Sequence, residues 1–139
     1  MSWPVGTSRR IEEAVRFVSD RPSFCVDLVW PTPVVAVVAL TGEVDLDTAP
    51  RFMQALFRAA DEGARQVVVD LSLVPFIDTA GIAALIAGAR RLGAQKASLV
   101  VVCPVAGVRR TLSTSGLADT LGICATRAEA LADFYGEIA

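Results

Sequence analysis

Residues 67–86 read VVVDLSLVPFIDTAGIAALI. The segment 65–72, RQVVVDLS, reads as a β-strand, since it is rich in β-branched residues and ends before a proline. Pro75 breaks it, and FIDT stands at the mouth of a helix that buries Ile82, Leu85, Ile86, Ala89 and Leu92 and stops at Gly93. Strand, short loop and helix in so few residues make half of a β-α-β unit. The same alternation repeats on both sides.

Upstream, VVAVVALTG (34–42) is apolar throughout, as a central strand covered on both faces should be. EVDLDTAPRFMQALFRAADEG (43–63) follows as a helix, with Asp47 or Thr48 as N-cap, Pro50 in the first turn, Phe52, Leu56, Ala59 and Ala60 as its buried stripe, and Gly63 at its end. Before these, SFCVDLVW (23–30) alternates, with Phe24, Val26, Leu28 and Trp30 on one face, which predicts a half-buried edge strand antiparallel to the next. Downstream, ASLVVVC (97–103) reads as a strand. PVAGVRRTLSTSGL (104–117) reads as a helix closed by Gly116 as left-handed C′ residue, with Leu117 against Leu112. LGICAT (121–126) adds a short strand, and 127–138 a last helix with Ala130, Leu131 and Phe134 as its apolar side.

Residues 1–22 stand apart. Ile11, Ala14, Val15 and Val18 fall at i, i+3, i+4 and i+7, which predicts an N-terminal helical extension closed by Pro22. Such a helix packs on the domain or serves as a homodimer or partner contact. The expected architecture is α/β: one domain over 23–139, a mixed sheet of four or five strands covered by about four helices, plus that extra helix. The expected core includes Val35, Val37, Val68, Ile82, Leu85, Ile86, Val100 and Leu112.

Composition narrows the function. Of 139 residues 53% are hydrophobic and 20% charged, which is not the signature of disorder. The net charge of −2 leaves no electrostatic footprint for nucleic acid. The chain holds no histidine, which removes the usual general base, and Cys25, Cys103 and Cys124 are too scattered for a zinc site. They read as buried free thiols of a reducing compartment. The apolar run VVAVVAL (34–40) is far too short to span a membrane, and MSWPVGTSRRIEEAV lacks the apolar stretch of a signal peptide, so the expected location is cytoplasmic without membrane insertion. No glycine-rich phosphate loop occurs.

Two chemistries remain. Asp45, Asp47, Asp70 and Asp78 lie at or near carboxyl ends of strands, where a two-carboxylate or magnesium site of a small hydrolytic or nucleotide-binding enzyme would sit, although helix capping alone accounts for Asp47 and Asp78. The other is Thr79, a hydroxyl at a helix mouth where an anion is welcome, capped by Asp78 or by Thr79 itself. Ala80, Gly81, Ala83, Ala84, Ala87 and Gly88 then form a smooth outer face that lets another protein approach closely.

From about residue 34 to 135 the chain resembles the STAS domain family, and within it the bacterial anti-sigma-factor antagonists. The resemblance is carried by LTGEVDLDTAP (40–50), by VVVDLSLVPFIDTAGIAALI (67–86) and by SLVVVCPVAGVRRTLSTSGLADTLGI (98–123). It implies a regulatory binding module rather than an enzyme, with no cofactor and no metal. Thr79 is implied as the phosphorylation site of an anti-sigma factor with serine/threonine kinase activity; unphosphorylated antagonist binds that factor, phosphorylated antagonist is released, and a phosphatase resets the cycle. The implied partner surface is Asp45, Asp78, Thr79, Ala80, Gly81, Ala83 and Ala84. The acceptor is threonine where serine is commoner, and Ala80 stands where a second hydroxyl is frequent. The DTAG loop also looks like the STAS subunit of bacterial lipid-transport ABC complexes, in which the threonine contacts the ATPase; a STAS interaction domain without a switch is the third reading.

Overall fold

In a computed structural model of the chain the described residues are 14–18, 23–117 and 121–138. The sheet opens with Ala14–Val18 (β1), antiparallel to Cys25–Val29 (β2), with Arg16 opposite Asp27 and Phe17 opposite Val26. The helix expected through Ala14, Val15 and Val18 is therefore a strand over this stretch, while Ile11 and Pro22 lie outside the described residues. Two forces explain the correction. Val15 and Phe17 are half-buried against the main core while Arg16 between them is exposed, a period of two. Without β1, moreover, β2 would present an unpaired edge. Arg16 also bonds the Asp27 carboxylate through Nε (2.8 Å) and Nη2 (3.2 Å) across the pair.

β2 is accordingly internal, not the expected edge. It pairs antiparallel with Val35–Thr41 (β3), Leu28 opposite Val38, as its short connection requires. Ala49–Asp61 (α1) crosses to Gln66–Leu73 (β4), Thr79–Ala94 (α2) to Ser98–Val102 (β5), and Ala106–Thr114 (α3) to Gly122–Cys124 (β6), before Arg127–Ile138 (α4). β3, β4, β5 and β6 are parallel neighbours, and the six strands lie in chain order. The sixth strand, beyond the expected four or five, is β1.

Alternation divides the strands between two cores. Ala36, Val38 and Leu40 of β3, Val67, Val69 and Leu71 of β4, and Leu99 and Val101 of β5 meet Phe52 and Leu56 of α1, Leu85 and Leu92 of α2, and Val108 and Leu112 of α3. On the opposite face Val35, Val37, Val68 and Val102 meet Ala130 of α4, with Val100 and Leu131 half-buried beside them. The side chain of Phe134 lies outside the described residues. Six of the eight expected core residues are buried, and Ile86 and Val100 pack at the margin.

Helix ends follow their chemistry. Thr48 is the N-cap residue of α1, with Pro50 in its first turn. Gly116 takes φ +83° one residue beyond the Ser115 cap of α3, and Leu117 is buried in the same cluster as Leu112. Asp70, on the α4 face of β4, is 8% exposed. Its carboxylate accepts the Ser72 hydroxyl (2.5 Å) and Arg127 Nε (2.5 Å), which ties the start of α4 to the end of β4.

Candidate functional site

The parallel strands β3 and β4 end side by side, and the loops beyond them stay joined. Gly42 N–H donates to the Leu73 carbonyl (3.1 Å), Val44 N–H to Phe76 (2.9 Å), and Asp78 N–H back to Val44 (3.0 Å). Val44 and Ile77 form an isolated parallel bridge. This zipper carries the loop of Asp45 next to the mouth of α2. Gly81, in the first turn of α2, rests on it: a Cβ there would stand 2.5 Å from Ile77 Cγ1 and 2.7 Å from Val44 Cγ1.

Asp78 is the cap of α2. Its backbone is extended, and its Oδ1 accepts Ala80 N–H (2.8 Å) and Gly81 N–H (3.3 Å). Of the two candidate caps, aspartate takes the role. Thr79 is left as the first helical residue, exposed and outside the cap. Asp45 organises the neighbouring loop instead: its Oδ1 accepts Asp47 N–H (3.0 Å) and Thr48 N–H (3.2 Å). The buried Thr48 hydroxyl accepts Asp45 N–H (2.9 Å) and donates to the Glu43 carbonyl (2.8 Å). Asp45 and Asp78 thus hold backbone, and Asp70 lies on the other face of the sheet. The four aspartates do not converge, and among the described residues no group of three or more potential metal ligands occurs. Among those residues, too, no helix is long and apolar enough to cross a membrane.

The smooth outer face of α2 needs correction. Gly81, Ala84 and Gly88 are buried, Ala80 and Ala87 half-buried, and Ala83 alone of this set is fully exposed. A Cβ on Gly88 would stand 2.7 Å from Leu56 Cδ1 of α1. Gly88 thus serves close approach of α1 and α2, Gly81 that of α2 and the loop zipper, and Gly81 and Ala84 are buried rather than on an outer face. Two other features were missed. Leu46, Leu73 and Phe76 are exposed by 76%, 67% and 49%, at the end of β4 and on the loops joined beyond it. A large apolar side chain in a loop between two aspartates, as Leu46 is, was a signal available in the sequence. The second is a groove of about 410 Å³ between α2 and α3, lined by Thr79, Ile82, Arg110, Thr111, Thr114 and Ser115; nothing in the linear sequence brings Arg110 to Thr79.

Comparison with known proteins agrees with this geometry. The model of the STAS domain matches residues 31–130. The chain belongs to the STAS domain family. A Mycobacterium tuberculosis relative named anti-sigma-F factor antagonist RsfB is 31% identical over 102 residues, 73% of this chain and 83% of its own length. The crystal structure of an anti-sigma factor antagonist from Mycobacterium paratuberculosis shares 29% identity with a TM-score of 0.69, covering 84% of this chain and 97% of that one. The anti-sigma factor antagonist SpoIIAA in its unphosphorylated form, 23% identical, has a TM-score of 0.71 over 80% of this chain and 96% of its own, a likeness of fold. The STAS fold of the present chain differs from the expectation chiefly in β1.

Proposed function

We propose that this STAS protein is an anti-sigma-factor antagonist switched at Thr79. In the unphosphorylated state it binds an anti-sigma factor with serine/threonine kinase activity through the joined loops and the first turn of α2. The observation that carries the reading is an exposed Thr79 directly after an aspartate cap, at a helix mouth hydrogen-bonded to the loop that precedes α1, with Leu46, Leu73 and Phe76 exposed on these same connected segments. The apolar side chains supply the area that drives association; the hydroxyl supplies the control.

Transfer of the γ-phosphoryl group of ATP forms a bond from phosphorus to Thr79 Oγ1, breaks the bond to ADP, and passes the hydroxyl proton to the kinase. The product carries about −1.5 to −2 charge at neutral pH. The fold tolerates that charge, because it sits at a helix N-terminus. A partner surface closing over Leu46 and Phe76 does not, because the phosphate would be desolvated beside Asp78. A penalty of about 2–4 kcal/mol lowers affinity by more than tenfold. A phosphatase restores the binding form.

The test is incubation with the kinase and ATP, mass spectrometry, and a binding titration of wild type, Thr79→Ala and Thr79→Glu. Thr79→Ala should bind constitutively, and Thr79→Glu at least about tenfold more weakly. Phosphate on Thr48 or Ser115, or a Thr79→Glu variant that binds like wild type, would overturn the switch in favour of a STAS subunit that contacts an ABC ATPase.

A further inference from the structure

Among the described residues that line the groove between α2 and α3, there is one cation and no carboxylate. Arg110 is exposed, lines the groove together with Thr79, and among the described residues makes no ion pair. Its neighbour Arg109 is turned away, with Nη1 donating to the Cys103 carbonyl at the end of β5 (3.5 Å). The other polar groups of the groove have committed their protons to their own helix: Thr111 to the Gly107 carbonyl (3.1 Å), Thr114 to Arg110 (2.9 Å) and Ser115 to Leu112 (2.7 Å). Among the described lining residues the side-chain N–H donors are those of the planar guanidinium of Arg110, which suits a phosphate held through two parallel hydrogen bonds.

We propose that Arg110 is an intramolecular clamp for phosphorylated Thr79, drawing the phosphate into the α2–α3 groove over Ile82. The proposal rests on Thr79 as the modified residue and adds how the modified state is held. Phosphorylation then has two effects. It places charge on the partner face, and it brings α3 to that face by a new bond across the groove. The clamp offsets the repulsion between the phosphate and Asp78, which the α2 N-terminus relieves only in part.

The experiment needs no kinase. Phosphothreonine is installed at position 79 during translation of the full chain, and its second ionisation is followed by phosphorus NMR in the wild-type background, in Arg110→Gln and in Arg110→Lys. All three retain Asp78 and the α2 N-terminus, so the difference among them isolates the clamp. Arg110→Gln should titrate about 0.5 pH unit or more above the wild-type background, and Arg110→Lys between them, since a lysine keeps the charge but not the fork. Phosphorylation should also raise the melting temperature in the wild-type background and not in Arg110→Gln. Arg110 is exposed, so the unphosphorylated variants should melt together. Coincidence of the Arg110→Gln and wild-type titrations within about 0.1 unit overturns the clamp, because a guanidinium bonded to the phosphate must favour its dianion. The failure of the switch itself is read separately: phosphorylated chain that still binds the anti-sigma factor, with the titrations as expected, removes the switch and leaves the clamp.

Discussion

Asp78 and Thr79 divide two tasks between neighbouring side chains. The carboxylate satisfies helix N–H groups, and the hydroxyl is left to solvent. Thr79→Ala should therefore leave thermal stability within about 0.5 kcal/mol of wild type, the range of an ordinary surface substitution. Asp78→Ala should lose about 1 kcal/mol, since it removes the cap; thermal melts of the two variants side by side check the division. Gly81→Ala tests the seating of α2. Alanine favours a helix by about 1 kcal/mol over glycine. Yet its Cβ would meet Ile77 and Val44 at 2.5 and 2.7 Å, so we expect a net loss of about 1–3 kcal/mol in urea unfolding. Leu46→Ser and Phe76→Ser should leave the fold intact and weaken anti-sigma factor binding by at least about tenfold together, given how much exposed apolar area they contribute.

At the scale of elements, β1 and α1 belong together. Arg58 of α1 lies over the Phe17 ring at 5.9 Å, and Val15 and Phe17 pack against the main core. Deleting residues 1–18 should cost about 2–3 kcal/mol, the worth of two half-buried apolar side chains with their strand pairing. It should also promote association through the newly unpaired edge of β2. Urea unfolding and size-exclusion chromatography read these two effects separately; a truncated chain as stable and monomeric as wild type would show β1 to be dispensable.

Across the whole molecule, the two sheet faces are unequally covered, and the thin one depends on a polar tie. Burial pushes the Asp70 carboxyl up, but the Ser72 hydroxyl, Arg127 and the Ser72 N–H outweigh it and hold it below the usual carboxylate range. A folded pKa below the unfolded one gives stability that is present above the unfolded value, about 3.9, and is lost as pH falls through the folded value. Asp70→Asn should thus cost about 1–2 kcal/mol at pH 7, with the gap from wild type closing as the pH falls below about 4. Urea melts at the two ends of that range decide it, and a gap that stays constant would mean that the hydrogen-bond geometry, not the charge, holds α4.

What the sequence by itself determined was most of what depends on local periodicity and helix ends. The strand–loop–helix of 65–93, the buried face of Phe24, Val26, Leu28 and Trp30, the left-handed Gly116 and the exposed Thr79 at a helix mouth were all legible there. These follow from side-chain spacing and backbone preferences within a few residues. Three matters were decided only by the tertiary structure. Val15 fits a helix stripe with Ile11, Ala14 and Val18 and a strand alternation with Phe17 alike, and the open edge of β2 chose between them. Gly81 and Gly88 of α2 were suited to a foreign partner and to the chain's own elements, and close approach to Val44 and Ile77 in one case and to Leu56 of α1 in the other accounts for their burial. Arg110 lies 31 residues from Thr79 along the chain and shares a groove with it only because two crossovers return α2 and α3 to the same sheet face. Local preference sets what each segment is able to form; burial against the rest of the molecule selects among the forms that remain.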